Sequence, residues 1–324
     1  MESPLTLSFA ALLVGAATAF AQTSSPAAPE PAKKADEPVR VMRALPINDK
    51  PLPDLDKLPR TLPPEGKISY SQCHVPGNVI AYTFDDGPSP EYTPHLLDIL
   101  KERNIKATFF LIGKSVSTWP DIVKRIVDEG HEIANHTWDH QQLTKLKESR
   151  VLQELQSTHD AIVKACGVAP ILYRPPYGAA SLSQRKMIHE KLGYPTILWD
   201  VDPEDWRSPK SIAKVHDQVL KQTRSGSIIL CHDIHKQTVD AMPSTLDELK
   251  SRGFQFVTVT QLLNLDAQTA KEAAIAAAAA AEAKAKAAVE APATPEKTEV
   301  ETEAKPPVET KAVEPAPAPA PSKP

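Results

Sequence analysis

The sequence predicts an α/β protein: a short (β/α) barrel of seven or eight units, with extensions at both ends that carry little core-forming pattern. Two observations support this. Between residues 68 and 265, strand-like apolar runs alternate with helical periodicity across short connections, which implies parallel strands with helical crossovers. Polar residues able to do chemistry gather where those strands end, the edge on which barrels and doubly wound sheets both build their sites. A doubly wound open sheet is the alternative arrangement of the same elements.

Taken in order, Val79–Phe84 is the first strand and runs into Asp85-Asp86-Gly87-Pro88. Tyr92–Arg103 follows as a helix, with Leu96, Leu97, Ile99 and Leu100 at helical spacing. Ala107–Ile112 is a strand, Trp119–Glu129 a helix and Glu132–Asn135 a strand. Ser149–Ala165 reads as a long helix, Ile171–Arg174 as a strand and Ser183–Lys191 as a helix. Thr196–Asp200 is a strand before the Ser211–Leu220 helix, and Ser227–His232 a strand before the Met242–Arg252 helix. Gln255–Val259 is the last strand.

The ends have a different texture. Leu5–Phe20 is a short apolar run closing on Ala19-Phe20-Ala21, so residues 1–21 read as a secretory signal cleaved before Gln22, although Met1–Pro4 lacks the usual basic residues. The run is too short for a comfortable membrane span, so the mature chain is expected to have none. Residues 22–67 are rich in Pro and Ala and read as a linker, whose Val39–Leu58 part has apolar residues able to lie against the domain. Residues 266–324 form an Ala/Glu/Lys/Pro-rich low-complexity tail: Ala270–Ala291 suits a solvated helix, and the stretch from Pro292 reads as disordered. A tether to the cell envelope is one reading of this tail; a segment without a partner is the other.

A net charge of -4 argues against a nucleic-acid partner, which would need a concentrated basic stripe. Three cysteines (Cys73, Cys166 and Cys231) leave at least one thiol unpaired and show no CxxC spacing, so no thiolate metal site is indicated. Cys166 and Cys231 read as small core residues.

Five clusters stand at strand ends. Asp85-Asp86 places two carboxylates in an apolar setting, costly unless a cation or strong donors compensate. In His136-Thr137-Trp138-Asp139-His140, two imidazoles at i and i+4 would share one face of a helical turn and reach one ion. With the carboxylates they make a set suited to zinc or another divalent ion. Arg174-Pro175-Pro176-Tyr177-Gly178 fixes a guanidinium that could fork onto a carboxylate, or tie the loop down structurally. Asp202-Pro203-Glu204-Asp205-Trp206 sets acids beside an indole able to stack on a sugar. In Leu230-Cys231-His232-Asp233, strand period puts Leu230 and His232 on one face.

These clusters, in this order over Val79–Val259, resemble the polysaccharide deacetylase family, also called NodB-homology or carbohydrate esterase family 4 domains. The resemblance implies a distorted (β/α)7–8 barrel and hydrolytic removal of N-acetyl, or O-acetyl, groups from a polysaccharide such as peptidoglycan or chitin. It implies Asp85 as catalytic base, Asp86, His136 and His140 as ligands of a divalent metal, and Arg174 as the residue that holds the base. It further implies the Tyr177 N–H as oxyanion donor, Trp206 and Leu230 as walls of the acetyl pocket, His232 as general acid and Asp205 as its partner. Zinc is the expected metal, with cobalt, nickel or manganese able to take the same ligands. The expected location is secreted, periplasmic or cell-envelope. Two other readings remain open: a metal-free glycosidase pairing Asp85 with Asp205, and a glycan-binding module using Trp138 and Trp206 as platforms.

Overall fold

The computed structural model describes residues 52–208 and 211–290. The expected signal at 1–21, most of the expected linker and the Pro-rich end of the tail lie outside these residues. The elements run β1 (Ser69–Tyr70), β2 (Val79–Asp85), α1 (Thr93–Glu102), β3 (Thr108–Leu111), α2 (Gly113–Thr118), α3 (Pro120–Asp128), β4 (Glu132–Asn135) and α4 (Glu148–Cys166). They continue with α5 (Leu182–Leu192), β5 (Thr196–Ile197), α6 (Ile212–Gln222), β6 (Ile228–His232), α7 (Lys236–Ser251), β7 (Gln255–Val257) and α8 (Val259–Glu290).

β2 is buried at every position, as expected of a central parallel strand covered on both faces. β3 pairs with its C-terminal half (Thr83↔Thr108, Asp85↔Phe110) and β7 with its N-terminal half (Val79↔Gln255, Ala81↔Val257). β6 runs beside Ala81–Asp85, and β4 pairs with β3. Single parallel bridges then carry the ring round: Asn135↔Tyr173, Tyr173↔Thr196 and Val201↔Ile229, the last returning to β6. Because these pairings lead from β4 round to β6, the ring closes, and the fold is the distorted barrel and not the open sheet.

The distortion has a local cause. The strands expected at Ile171–Arg174 and Thr196–Asp200 shrink to a bridge at Tyr173 and the two residues of β5. Pro170, Pro175 and Pro195 flank these segments and lack the N–H that a ladder needs. Two carbonyls there, Ile197 O and Leu198 O, instead accept from Nε and Nη2 of Arg174, each at 3.2 Å. A guanidinium has taken the place of ladder partners.

Helix ends follow sequence chemistry. Pro120 opens α3, Ser181 and Gln184 form a reciprocal capping box on α5, and left-handed Gly167 and Gly193 close α4 and α5. α7 begins six residues before the expected Met242. It carries Pro243 inside because Val239, Met242, Leu246 and Leu249 bury one continuous stripe that spans the proline.

The packed body is wider than residues 68–265. Leu58 is buried, and Leu52, Leu55 and Leu62 pack on a cluster containing Val259, Leu262 and Leu263. Asn264 Nδ2 donates to Thr61 O at 2.9 Å, and Gln261 Nε2 to Leu55 O at 3.1 Å. Buried Asp266 receives Lys67 Nζ at 2.8 Å and the His74 N–H at 2.7 Å. The stretch 52–67, expected as linker, is therefore held against the first turns of α8. Beyond these turns α8 continues with every residue from 270 to 286 exposed, the solvated helix its composition predicts. The three thiols are free; Cys73 and Cys231 are buried, whereas Cys166 is half-buried.

Candidate active site

Parallel strands end on one side of the ring, so the residues closing β2, β4 and β6 meet there. Asp85, the last residue of β2, is buried, and its Oδ1 lies 2.6 Å from Arg174 Nη1. Arg174 is wholly buried. Its Nη1 also reaches Thr83 Oγ1 at 2.8 Å, and its guanidinium carbon lies 4.0 Å from the centre of the Phe110 ring. A buried carboxylate survives when a well-bonded cation compensates it, and this arrangement meets that condition.

The chain turns sharply after Asp85. Asp86 takes a left-handed φ of 75°, and a Cβ on Gly87 would collide with the carboxylate of buried Asp233.

His136 and His140 converge as expected, though not on a helical turn. Residues 136–140 form an irregular loop in which Thr137 (φ 69°) and His140 (φ 61°) are left-handed. A helical turn there would leave the loop's amides without the partners they have. The Thr137 N–H donates to Asn135 Oδ1 at 2.9 Å, and Gly113 and Lys114 N–H donate to the carbonyls of Thr137 and Trp138. Short helix α2, whose first residues are Gly113 and Lys114, was not apparent in the sequence.

His136 Nδ1 lies 2.8 Å from Arg174 O. A carbonyl only accepts, so Nδ1 carries the hydrogen and the Nε2 lone pair faces Asp86. Both His136 Nε2 and His140 Nε2 lie 3.4 Å from Asp86 Oδ1, and the donor atoms of the three residues fall within 4.8 Å of one another. Asp86 Oδ1 is buried with no hydrogen-bond partner. An orphaned carboxylate oxygen facing two imidazole nitrogens fits a divalent cation of the borderline class, with positions left open.

Across the pocket, His232 ends β6. Its Nδ1 lies 2.7 Å from Asp205 Oδ1, and its N–H donates to Asp205 Oδ2 at 2.8 Å. Thr238 Oγ1 donates to the same Oδ2 at 2.7 Å. Burial pushes the His232 imidazolium down, but the hydrogen bond and charge of Asp205, aided by Asp85 and Asp86, raise it to about 9. Both Asp205 oxygens are occupied, and Asp85 is locked to Arg174, so neither is placed as the free acid that a two-carboxylate glycosidase needs.

One pocket of about 390 Å³ is lined by Asp85, Asp86, His136, His140, Tyr177, Trp206, Leu230 and His232, with Arg174 and Asp205 directly behind it. All ten expected site residues thus meet at one place. Tyr177 has a left-handed φ of 60°, and its ring meets His140 edge-on at 4.7 Å. Trp206 is half-exposed at the mouth. Trp138 does not line the pocket; it packs against Gly113, which removes one platform of the binding-module reading. Asp202 and Pro175, members of the sequence clusters, also line the wall, as does Trp199, which was not singled out in sequence. Trp199 had a signal: strand period from Ile197 puts it on the same face.

Comparison with known proteins agrees with this geometry. Residues 73–197 match the family described as polysaccharide deacetylase. The chain is 40% identical over 247 residues to peptidoglycan-N-acetylglucosamine deacetylase PgdA of Listeria monocytogenes, covering 76% of this chain and 49% of that protein. A peptidoglycan-N-acetylglucosamine deacetylase of Bacillus cereus is 39% identical over 213 residues, 64% of this chain and 97% of its own length. The solved structure of peptidoglycan deacetylase PdaC from Bacillus subtilis superposes with a TM-score of 0.57 at 39% identity, over 60% of this chain and 94% of that one. The chain belongs to the polysaccharide deacetylase family. It spans about half the length of the Listeria relative.

Proposed function

We propose that this protein hydrolyses N-acetyl groups of a polysaccharide, peptidoglycan N-acetylglucosamine before chitin-type chains, using a divalent cation held by Asp86, His136 and His140. The observation that carries this reading is the opposition, across one pocket, of an arginine-held carboxylate beside the Asp/His/His group and a carboxylate-held imidazole. The names of the relatives support the substrate class. Zinc suits the donor set, and cobalt, nickel or manganese would take the same ligands.

When bound, the cation supplies Lewis acidity that activates water and polarises the acetyl carbonyl. Asp85, ionised against Arg174, accepts the proton of the water that adds to the carbonyl carbon. The Tyr177 N–H steadies the oxyanion, a contribution worth about 3 kcal/mol for one donor. His232 passes its proton to the nitrogen as the C–N bond breaks, giving acetate and a free amine. Trp206 and Leu230 wall the acetyl group. In this reading residues 1–21 direct export, the chain acts in the cell envelope, and the tail beyond the folded body reaches further into it. Among the described residues, no helix is long and apolar enough to cross a membrane.

The deciding experiment measures acetate released from peptidoglycan and N-acetylglucosamine polymers by the full chain, with chelator and after zinc is restored. Acetate should vanish with chelator and return with zinc. No acetate from peptidoglycan, chitin or acetylated xylan in the metal-replete protein would overturn the reading.

The acid assignment has a pH signature. His232 must be protonated to act, so activity should hold below its raised pKa and fall as pH rises through it. Asp205→Asn removes the charge that opposes burial, so the basic limb of the kcat/KM profile should move to lower pH. An unmoved basic limb would take His232 out of the acid role.

A further inference from the structure

Glu154 lies on α4, outside every cluster considered so far, and is buried to 1% exposure. Its Oε2 accepts two successive backbone amides, Trp138 N–H at 2.9 Å and Asp139 N–H at 3.2 Å. Its Oε1 lies 2.6 Å from Arg150 Nη2, one turn back on the same helix. Those amides are in the middle of the loop whose ends are His136 and His140. No other side chain holds them.

The rest of the loop is fixed from neighbouring elements. The His136 N–H donates to Leu111 O, and Gly113 and Lys114 hold the carbonyls of Thr137 and Trp138. Asn135 ties the loop to α4 as well, since its Nδ2 donates to Leu155 O at 2.8 Å while its Oδ1 receives the Thr137 N–H. Thr137 and His140 are both left-handed, a conformation that is strained for non-glycine residues and persists only when surroundings over-determine it. One side-chain oxygen of this reach, bonded to both central amides, supplies such determination in a way a shorter side chain does not.

We propose that Glu154 is a positioning residue for the cation site: by binding the Trp138 and Asp139 amides it sets the separation at which His136 and His140 face Asp86. It touches neither the donors nor the pocket and acts through the backbone between them. This rests on the metal reading given above. Outer groups that orient metal ligands typically change affinity by about 10- to 100-fold when lost.

The test is zinc affinity of the metal-stripped full chain, by competition with a chromophoric chelator well below each variant's melting temperature. Glu154→Gln keeps length and one acceptor oxygen, Glu154→Asp keeps charge but loses reach, and Glu154→Ala loses both. Dissociation constants should rise in the order wild type, Gln, Asp, Ala, with Gln within a few fold of wild type and Asp at least tenfold weaker. A merely structural glutamate would lower melting temperature in all three and leave affinity unmoved, which would overturn the proposal. Should Glu154→Ala fail to fold, the Gln-against-Asp comparison decides alone: equal affinities overturn the proposal, and a tenfold gap sustains it. A wild-type chain that binds no zinc would instead refute the metal reading beneath it.

Discussion

Asp85→Asn should lower kcat by about 100- to 10,000-fold, the span expected for loss of a general base. The substitution is nearly isosteric, and Arg174 Nη1 can still donate to the amide oxygen, so the fold should stand. Zinc affinity should stay close to wild type, because the three donor atoms of the cation site belong to Asp86, His136 and His140. Single-turnover acetate release alongside zinc titration separates the two effects. Retained turnover would remove Asp85 from the base role; lost zinc binding would make it a ligand, its Oδ2 being 3.6 Å from His136 Nε2.

Arg174→Met should destabilise the folded protein by about 3–5 kcal/mol, the cost of removing one partner of a buried ion pair. The side chain fills much the same space, so the loss is electrostatic: Asp85 would be left charged in a dry site. Ile197 O and Leu198 O would lose their donor too. Urea unfolding of the metal-stripped protein measures it. The double variant Arg174→Met with Asp85→Asn should recover part of the loss, because the unpaired charge has gone. A single-variant cost below about 1 kcal/mol would mean that the pair is not the buried, desolvated contact the geometry indicates.

Much of the site was legible because a parallel barrel brings every strand's end to one rim. Thr83–Pro88, His136–His140, Arg174–Gly178, Asp202–Trp206 and Leu230–Asp233 are each a few residues long, and each sits at or just beyond a strand end, so locating the strands located the site. The same local signals placed Glu132–Asn135 and the long helix α4 within a residue of where they fold. What failed were elements decided by partners distant in sequence. The Ile171–Arg174 and Thr196–Asp200 runs have strand composition, yet prolines flank both and two carbonyls of the second serve a guanidinium. The H-x-x-x-H spacing suggested a helical turn, whereas the loop's amides bond to α4 and its carbonyls to α2. The packing of Leu52, Leu55 and Leu58 on the domain was within reach of the sequence, but not that residues 59–67 would join them, because that depends on α8, some two hundred positions away.

Glu154 marks the boundary between the two kinds of information. It stands on the inward stripe of α4 with Val151, Leu155, Thr158 and Ile162, where an acid is out of place, and that oddity is readable in the sequence. Which amides the carboxylate would bind is not. By itself the sequence determined the α/β alternation, the strand ends and the chemical identity of the residues there, because these rest on periodicity and short-range composition. Tertiary structure alone decided the distances: Arg174 to Asp85, Asp205 to His232, and both imidazoles to one carboxylate oxygen. Such contacts join side chains far apart in the chain, and only the closed ring of strands, packed against its helices, fixes where each of them points.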